Sequence, residues 1–321
     1  MSSRFRPRAV WPAAVLALAA MGLAAPAAQA AHHAPLCFGH KPTIVGTNKS
    51  DVIRGTVHHD VIDGLRGDDK IVGAGAPDLI CGGPGDDAIS GNVGIDRIDG
   101  SLGNDKLNGG PEEDQIVGDV GDDKIVGAGQ NDILSGDEGN DLVLGGEGND
   151  SLTGGTGTDT LDGGGGNDTM SPDQDSEPDN YVGGTGIDTI SYLQYNTRVN
   201  VSLDGVANDG ANCPQQCEGD NVDPTVDDVT SSNYDGSHLT GGDGDNVLNG
   251  GYAADILDGS GGNDILQGNG GDDHLLGGPG LDVLYGGDGN DSLDGGDDQD
   301  ECHGDNGTDT GTSCELQFGI P

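Results

Sequence analysis

The nine residues Gly82-Gly83-Pro84-Gly85-Asp86-Asp87-Ala88-Ile89-Ser90 decide the fold, because their pattern returns as GSLGNDKLN from Gly100, as GGEGNDSLT from Gly145, and throughout Gly46 to Ser171. That run holds fourteen consecutive nonapeptides, each opening on Gly, with Asp at its sixth position and an apolar residue at its eighth. The sixth positions are Asp51, Asp60, Asp69, Asp78, Asp87, Asp96, Asp105, Asp114, Asp123, Asp132, Asp141, Asp150, Asp159 and Asp168. The eighth positions run from Ile53 and Ile62 through Leu107 and Val143 to Met170. An eleven-residue acidic unit, Pro172 to Val182, comes next, followed by GGTGIDTIS from Gly183 with Asp188 in sixth place. A second array of seven units runs from Gly241 to His303, with Asn246, Asp255, Asp264, Asp273, Asp282, Asp291 and Asp300 in sixth place. The unit opening at Gly304 carries Gly311 where an apolar residue belongs and reads as a cap.

Self-similarity at a fixed period marks a stacked repeat architecture. Each unit reads as a six-residue turn, in which glycine permits unusual backbone angles, followed by a three-residue strand whose middle side chain points inward. Two units then make one coil of 18 residues, and strands of alternate units stack about 4.8 Å apart. The predicted fold is all-β, a parallel β-roll resembling a β-helix.

Composition limits what such a chain does. Of 321 residues, 63 are Gly, 57 are Asp or Glu and 12 are Lys or Arg, for a net charge of −45, and aromatics are 3%. That charge repels nucleic acid and anionic membranes, and so few large apolar residues do not build an ordinary core. Stacked sixth-position carboxylates about 4.8 Å apart repel by about 3.5 kcal/mol per pair at an effective dielectric of 20. A hard cation among them removes that penalty.

These units resemble the RTX, or haemolysin-type calcium-binding, repeat family, whose motif is G-G-x-G-x-D-x-U-x. The resemblance covers residues 46–191 and 232–312. It implies Ca²⁺ held between successive turns by sixth-position carboxylates and turn carbonyls. The candidate ligands are therefore Asp69, Asp78, Asp87, Asp96, Asp105, Asp114, Asp123, Asp132, Asp141, Asp150, Asp159, Asp168 and Asp188 in the first array, and Asp255, Asp264, Asp273, Asp282, Asp291 and Asp300 in the second. Asp51 and Asp60 lie in turns carrying Lys49 and His58 where glycine belongs, so weak or empty sites are expected there. Asn246 lacks the carboxylate, and Ser237 holds that place in the preceding degenerate unit. Calcium suits all-oxygen sites because it accepts six to eight oxygens in flexible geometry, whereas zinc and copper favour imidazole or thiolate. Binding and folding are expected to be one event.

Arg4, Arg6 and Arg8 precede an apolar run from Val10 to Ala25, and Ala28-Gln29-Ala30 is a small-x-small cleavage pattern, so residues 1–30 read as a secretory signal peptide. The expected location is extracellular, by the general secretory route, whereas many members of the family carry an uncleaved C-terminal signal. No apolar run reaches the roughly 20 residues of a membrane span. An oxidising compartment favours disulfides. Proximity pairs Cys213 with Cys217 and Cys302 with Cys314, leaving Cys37 with Cys81, and the chain has no C-x-x-C pair to favour zinc.

Residues 31–45 read as an N-terminal cap, 192–231 as a strand-bearing insertion packed on the roll, and 313–321 as a tail. Asp173, Asp175, Glu177 and Asp179 imitate the start of an EF-hand loop, but Pro178 stands where its turn glycine belongs. They form either an extra calcium ligand set or a solvated acidic bulge. H-E-x-x-H, G-x-S-x-G and the P-loop pattern are all missing. The expected protein is a secreted, monomeric calcium binder without catalysis. The alternative from another class is a calcium-dependent adhesin or matrix component that bridges cell-envelope polysaccharide, and an enzyme carrying an RTX module is the remote one.

Overall fold

The computed structural model describes residues 36–175, 177–195, 197–211, 219–231 and 235–320, and all their regular structure is β. Residues 1–30, expected to be a signal peptide, and the expected Cys213–Cys217 disulfide lie outside the described residues. The chain winds as a β-solenoid of about 15 turns in which the strands of the repeats pair in parallel with those two units on, and Val199–Ser202 also pairs antiparallel with Gly210–Ala211. Ile71 stands over Ile89 and Ile89 over Leu107, while on the opposite face Ile80 stands over Ile98 and Ile98 over Ile116. Each of these steps is 18 residues, the period written in the glycines.

Most strands within the arrays are longer than three residues. Ala88–Val93 and Arg97–Leu102 each continue through the opening glycine of the next unit. The ladder skips that glycine and resumes at the residue after it, as in Val72 opposite Ser90 and then Ala74 opposite Asn92. The resumption needs a left-handed backbone, with φ of 71° at Asn92 and 82° at Ser101. A side chain with no β-branch tolerates that angle, which is why small or polar residues share this second position with glycine.

The core is the eighth position. Ile71, Ile80, Ile98, Ile116 and Ile125 are fully buried, and one apolar cluster runs from Ile53 to Cys302. Each such side chain contributes about 1.5–3 kcal/mol on burial.

A fifteen-stranded sheet forms one continuous wall from Ile44–Val45 to Leu316–Phe318. The facing wall changes partway. A nine-stranded sheet runs from Val52–Arg54 to Asn221–Val222, and a seven-stranded sheet then takes its place, ending at Thr310–Thr312. The stretch 192–231 makes this exchange by supplying strands to all three sheets. Asp228–Ser231 continues the long wall, Asn221–Val222 closes the nine-stranded sheet on Asn180–Thr185, and Val199–Ser202 opens the new one beside His238–Thr240. The buried carboxylate of Asp209 joins the two shorter sheets by accepting the N–H of Ser202 at 2.7 Å and that of Val222 at 3.1 Å. Tyr181, Tyr192 and Tyr195 fill the core at the exchange, with the last two rings edge to face at 5.3 Å.

Two disulfides, Cys37–Cys81 and Cys302–Cys314, tie the first and last coils, in the pairing that sequence proximity favours. Among the described residues no helix is long and apolar enough to cross a membrane.

Candidate metal centre

Every sixth-position carboxylate from Asp69 onward lies inside the turn, two residues before the inward eighth residue and with the outward seventh between them. Asp69, Asp96, Asp132, Asp188, Asp264 and Asp300 are at most 2% exposed, and the other candidate ligands are at most 3% exposed. One oxygen of each is committed to the fold. Oδ1 of Asp87 accepts the backbone N–H of Asp69, Oδ1 of Asp105 that of Asp87, and Oδ1 of Asp123 that of Asp105, each at 2.7 Å. The same bond recurs in the second array, where Asp264 accepts from Asn246 and Asp282 from Asp264, both at 2.8 Å.

The other oxygen is left over. Oδ2 is buried and has no hydrogen-bond partner among the described residues at every candidate ligand from Asp69 to Asp168, at Asp188, and from Asp255 to Asp300. A native fold rarely leaves buried polar atoms unpaired, and here it does so in columns. The space in front of each Oδ2 explains the invariant first glycine. A Cβ on Gly91 would lie 2.2 Å from Oδ2 of Asp96 and 2.8 Å from the carbonyl oxygen of Gly109 in the next coil. The fourth-position carbonyls also line up, so that a Cβ on Gly103 would meet the oxygen of Gly85 at 2.0 Å. In these turns the oxygens nearest the first and fourth glycines are those of carboxylates and carbonyls, which fits a hard divalent cation.

Burial is the main reason these carboxylates hold protons tightly. It pushes Asp87, Asp96, Asp105, Asp123 and Asp132 up from 3.8 to about 7, against the opposing bond from the N–H of the preceding coil and with neighbouring carboxylates adding to the rise. Asp255 and Asp264 are likewise pushed to about 7. Desolvation and crowding of negative charge are the two burdens a bound cation relieves.

The exceptions are instructive. Oδ2 of Asp51 takes both the N–H and the hydroxyl of Thr47, at 2.6 and 2.8 Å, and Oδ2 of Asp60 takes those of Thr56, at 2.6 and 2.9 Å. Threonine in second position thereby occupies the oxygen that other units leave unpaired. Asn246 satisfies itself by accepting from the N–H of Gly242 at 2.8 Å and donating to the carbonyl of Asp227 at 2.9 Å.

Three features lay outside the sequence reading. Asp309, in the unit read as a cap, is buried, and its Oδ2 has no partner among the described residues. Asp179 occupies the sixth-position column, accepting the N–H of Asp159 at 2.7 Å, although the eleven-residue unit displaces it from the nine-residue count. Fifth-position side chains build a second ladder of opposite sense. Asp86 Oδ1 accepts the N–H of Asn104 in the following coil at 2.9 Å, and Asn149 Oδ1 that of Asn167 at 2.8 Å. The recurring Asn-Asp and Asp-Asp pairs were its signal.

A parallel solenoid with columns of half-satisfied carboxylates facing carbonyls is a cation-binding β-solenoid. The family model of the RTX calcium-binding nonapeptide repeat, in four copies, matches residues 43–80, 82–116, 109–143, 135–170, 240–275, 250–282 and 276–310, and the chain belongs to that family. No curated protein matches the chain. The repeats are calcium-binding, and Ca²⁺ is the ion their oxygen set fits.

Proposed function

We propose that the protein is a secreted, extracellular calcium binder whose folding is coupled to the ion. In this reading, the sixth-position carboxylates from Asp69 to Asp168, Asp188, and those from Asp255 to Asp300 present Oδ2 to calcium, with first- and fourth-position carbonyls completing the oxygen set. Asp309 belongs with them. When bound, calcium supplies the positive charge that lets these carboxylates ionise side by side. The chain's own residues do the rest: Oδ1 fixes each carboxylate to the preceding coil, and the first glycine leaves room in front of Oδ2.

The single observation that carries this reading is the column of buried, unpartnered Oδ2 atoms. Residues 1–30 act as the leader that takes the chain out of the cell, and the paired cysteines suit an oxidising destination. The ion is structural, and the repeat roll has no catalytic part to play. Circular dichroism of the mature chain, titrated with calcium from chelator, tests the coupling. A strand spectrum that grows with calcium supports it, and a full strand spectrum in chelator at neutral pH defeats it.

A further inference from the structure

The eleven-residue unit does something the ordinary units do not. It brings Asp173 to the sixth-position column, so that carboxylate oxygens of Asp159, Asp173 and Asp179 all lie within 4.8 Å of one another. Among the described residues, three such groups converge only here.

Local backbone explains why. Asp119 and Asp137 also hold second positions, but both take a φ of 79°, and Asp119 is exposed while Asp137 is half-buried. Asp173 takes no left-handed angle, because its unit has two extra residues in which to turn. Asp175 then pins the loop down: its Oδ2 accepts the N–H of Gly157 at 2.7 Å, in the same turn that carries Asp159. Oδ1 of Asp173 takes the N–H of Asp175 at 3.1 Å, and its buried Oδ2 has no partner among the described residues.

A group of acids alone is not a site, but this one holds a second observation. Asp159 is 1% exposed, and among the described residues its Oδ2 has no hydrogen-bond partner. Asp179 completes the set with Oδ1 bound to the N–H of Asp159 and Oδ2 accepting the Tyr181 hydroxyl at 3.0 Å. Among the described residues no ion pair neutralises any of the three.

We propose that the column site of Asp159 and Asp179 is the tightest for calcium in the chain, because the insertion adds Asp173 as a third carboxylate where an ordinary turn offers a carbonyl. The proposal rests on the calcium reading above and goes beyond it, because affinity in oxygen sites rises with ligand charge. A tightest site at this position loads first and orders the coils immediately before the sheet exchange.

Terbium alone serves as the probe, since Tyr181 lies against the site and sensitises its emission. In the full mature chain, tyrosine-sensitised emission is expected to rise in a first phase, ahead of the phase in which the remaining turns fill. Asp173→Asn should weaken that first phase by about tenfold or more, while the calcium-driven circular-dichroism transition of the rest of the chain is retained. Superimposable titrations of wild type and Asp173→Asn overturn the proposal. Should Asp173→Asn fail to fold, Tyr181→Phe keeps the ring and every carboxylate: loss of the sensitised first phase supports the site, and its persistence overturns it. Failure of the broader calcium reading is separable, because it would abolish the calcium response of the wild-type spectrum itself.

Discussion

Oδ1 of Asp105 accepts the backbone N–H of Asp87 one coil earlier at 2.7 Å, and Oδ2 of the same carboxylate faces Gly100, where an added Cβ would stand 2.4 Å away. One carboxylate therefore carries two tasks. Its first oxygen fixes the coil spacing in the folded chain, and its second is costly to bury unless something positive arrives. Stability with and without calcium should consequently respond to mutation with opposite signs.

Asp105→Asn keeps an acceptor for the Asp87 N–H and removes the charge. In chelator the variant should melt higher than wild type, because a buried charge beside Asp87 and Asp123 has gone. In calcium it should melt lower, having lost one ligand. If one site is lost, the cost at a hundredfold excess of calcium over its dissociation constant is about 2.7 kcal/mol. Thermal melts in both conditions read this, and a shift of the same sign in both removes the ion from the account.

Gly100→Ala tests the room in front of the oxygen. Its Cβ would also lie 2.8 Å from the carbonyl oxygen of Gly118, so backbone and carboxylate both have to move. The expected loss is about 1–3 kcal/mol in calcium. Gly261→Ala is the matched control, since nothing stands within 4 Å of its Cβ. Denaturant melts that rank the two variants equally would show that the first glycine is kept for some other reason.

The period, the inward eighth residue and the column of sixth residues were legible because each is a spacing, and stacking by 18 converts spacing directly into contact. What was not legible depended on chain that leaves the count. Asp179 was read as part of an acidic loop, and its place in the sixth-position column was hidden by two inserted residues. Asp309 was hidden by Gly311, whose missing side chain is replaced from the tail: a Cβ on Gly311 would meet Cδ1 of Ile320 at 2.9 Å. The length of the strands was concealed by glycine itself, which has little intrinsic preference for strands, yet here is carried into them by the pairing on either side. The sheet exchange could not be read because the strands of 192–231 are short and find their partners far along the chain.

Acidity should replace calcium in part. Asp87, Asp96, Asp105, Asp123 and Asp132 hold their protons up to about 7 in the folded chain, against 3.8 ordinarily. The calcium-free fold thus binds more protons than the unfolded chain between these values. Its stability from these groups is fully present below about pH 4 and is lost as pH rises through about 7. In chelator, strand content should therefore fall as pH is raised from about 5 to about 8. Calcium must displace the same protons, so its affinity should weaken on acidification through about pH 7, with proton release measurable by calorimetry in buffers of different ionisation enthalpy. Stability in chelator that rises with pH would contradict the sign.

Asn246→Asp asks whether a turn can be converted. The wild-type amide donates to the Asp227 carbonyl at 2.9 Å while its oxygen accepts from Gly242 N–H at 2.8 Å, so the amide is satisfied without an ion. An aspartate keeps the second bond and turns the first into an approach of two oxygens. In chelator this should cost about 1–3 kcal/mol, the penalty of a buried acceptor left unpaired. With calcium, the carboxylate and the Asp227 carbonyl become two oxygens of the kind seen in the other turns. Most of the loss should be recovered, and equilibrium dialysis should count one additional ion. A loss that persists in saturating calcium would mean that a sixth-position carboxylate is insufficient, and that the second-position Gly242 and its neighbours, unlike their counterparts around Asp264, do not shape a turn for a cation.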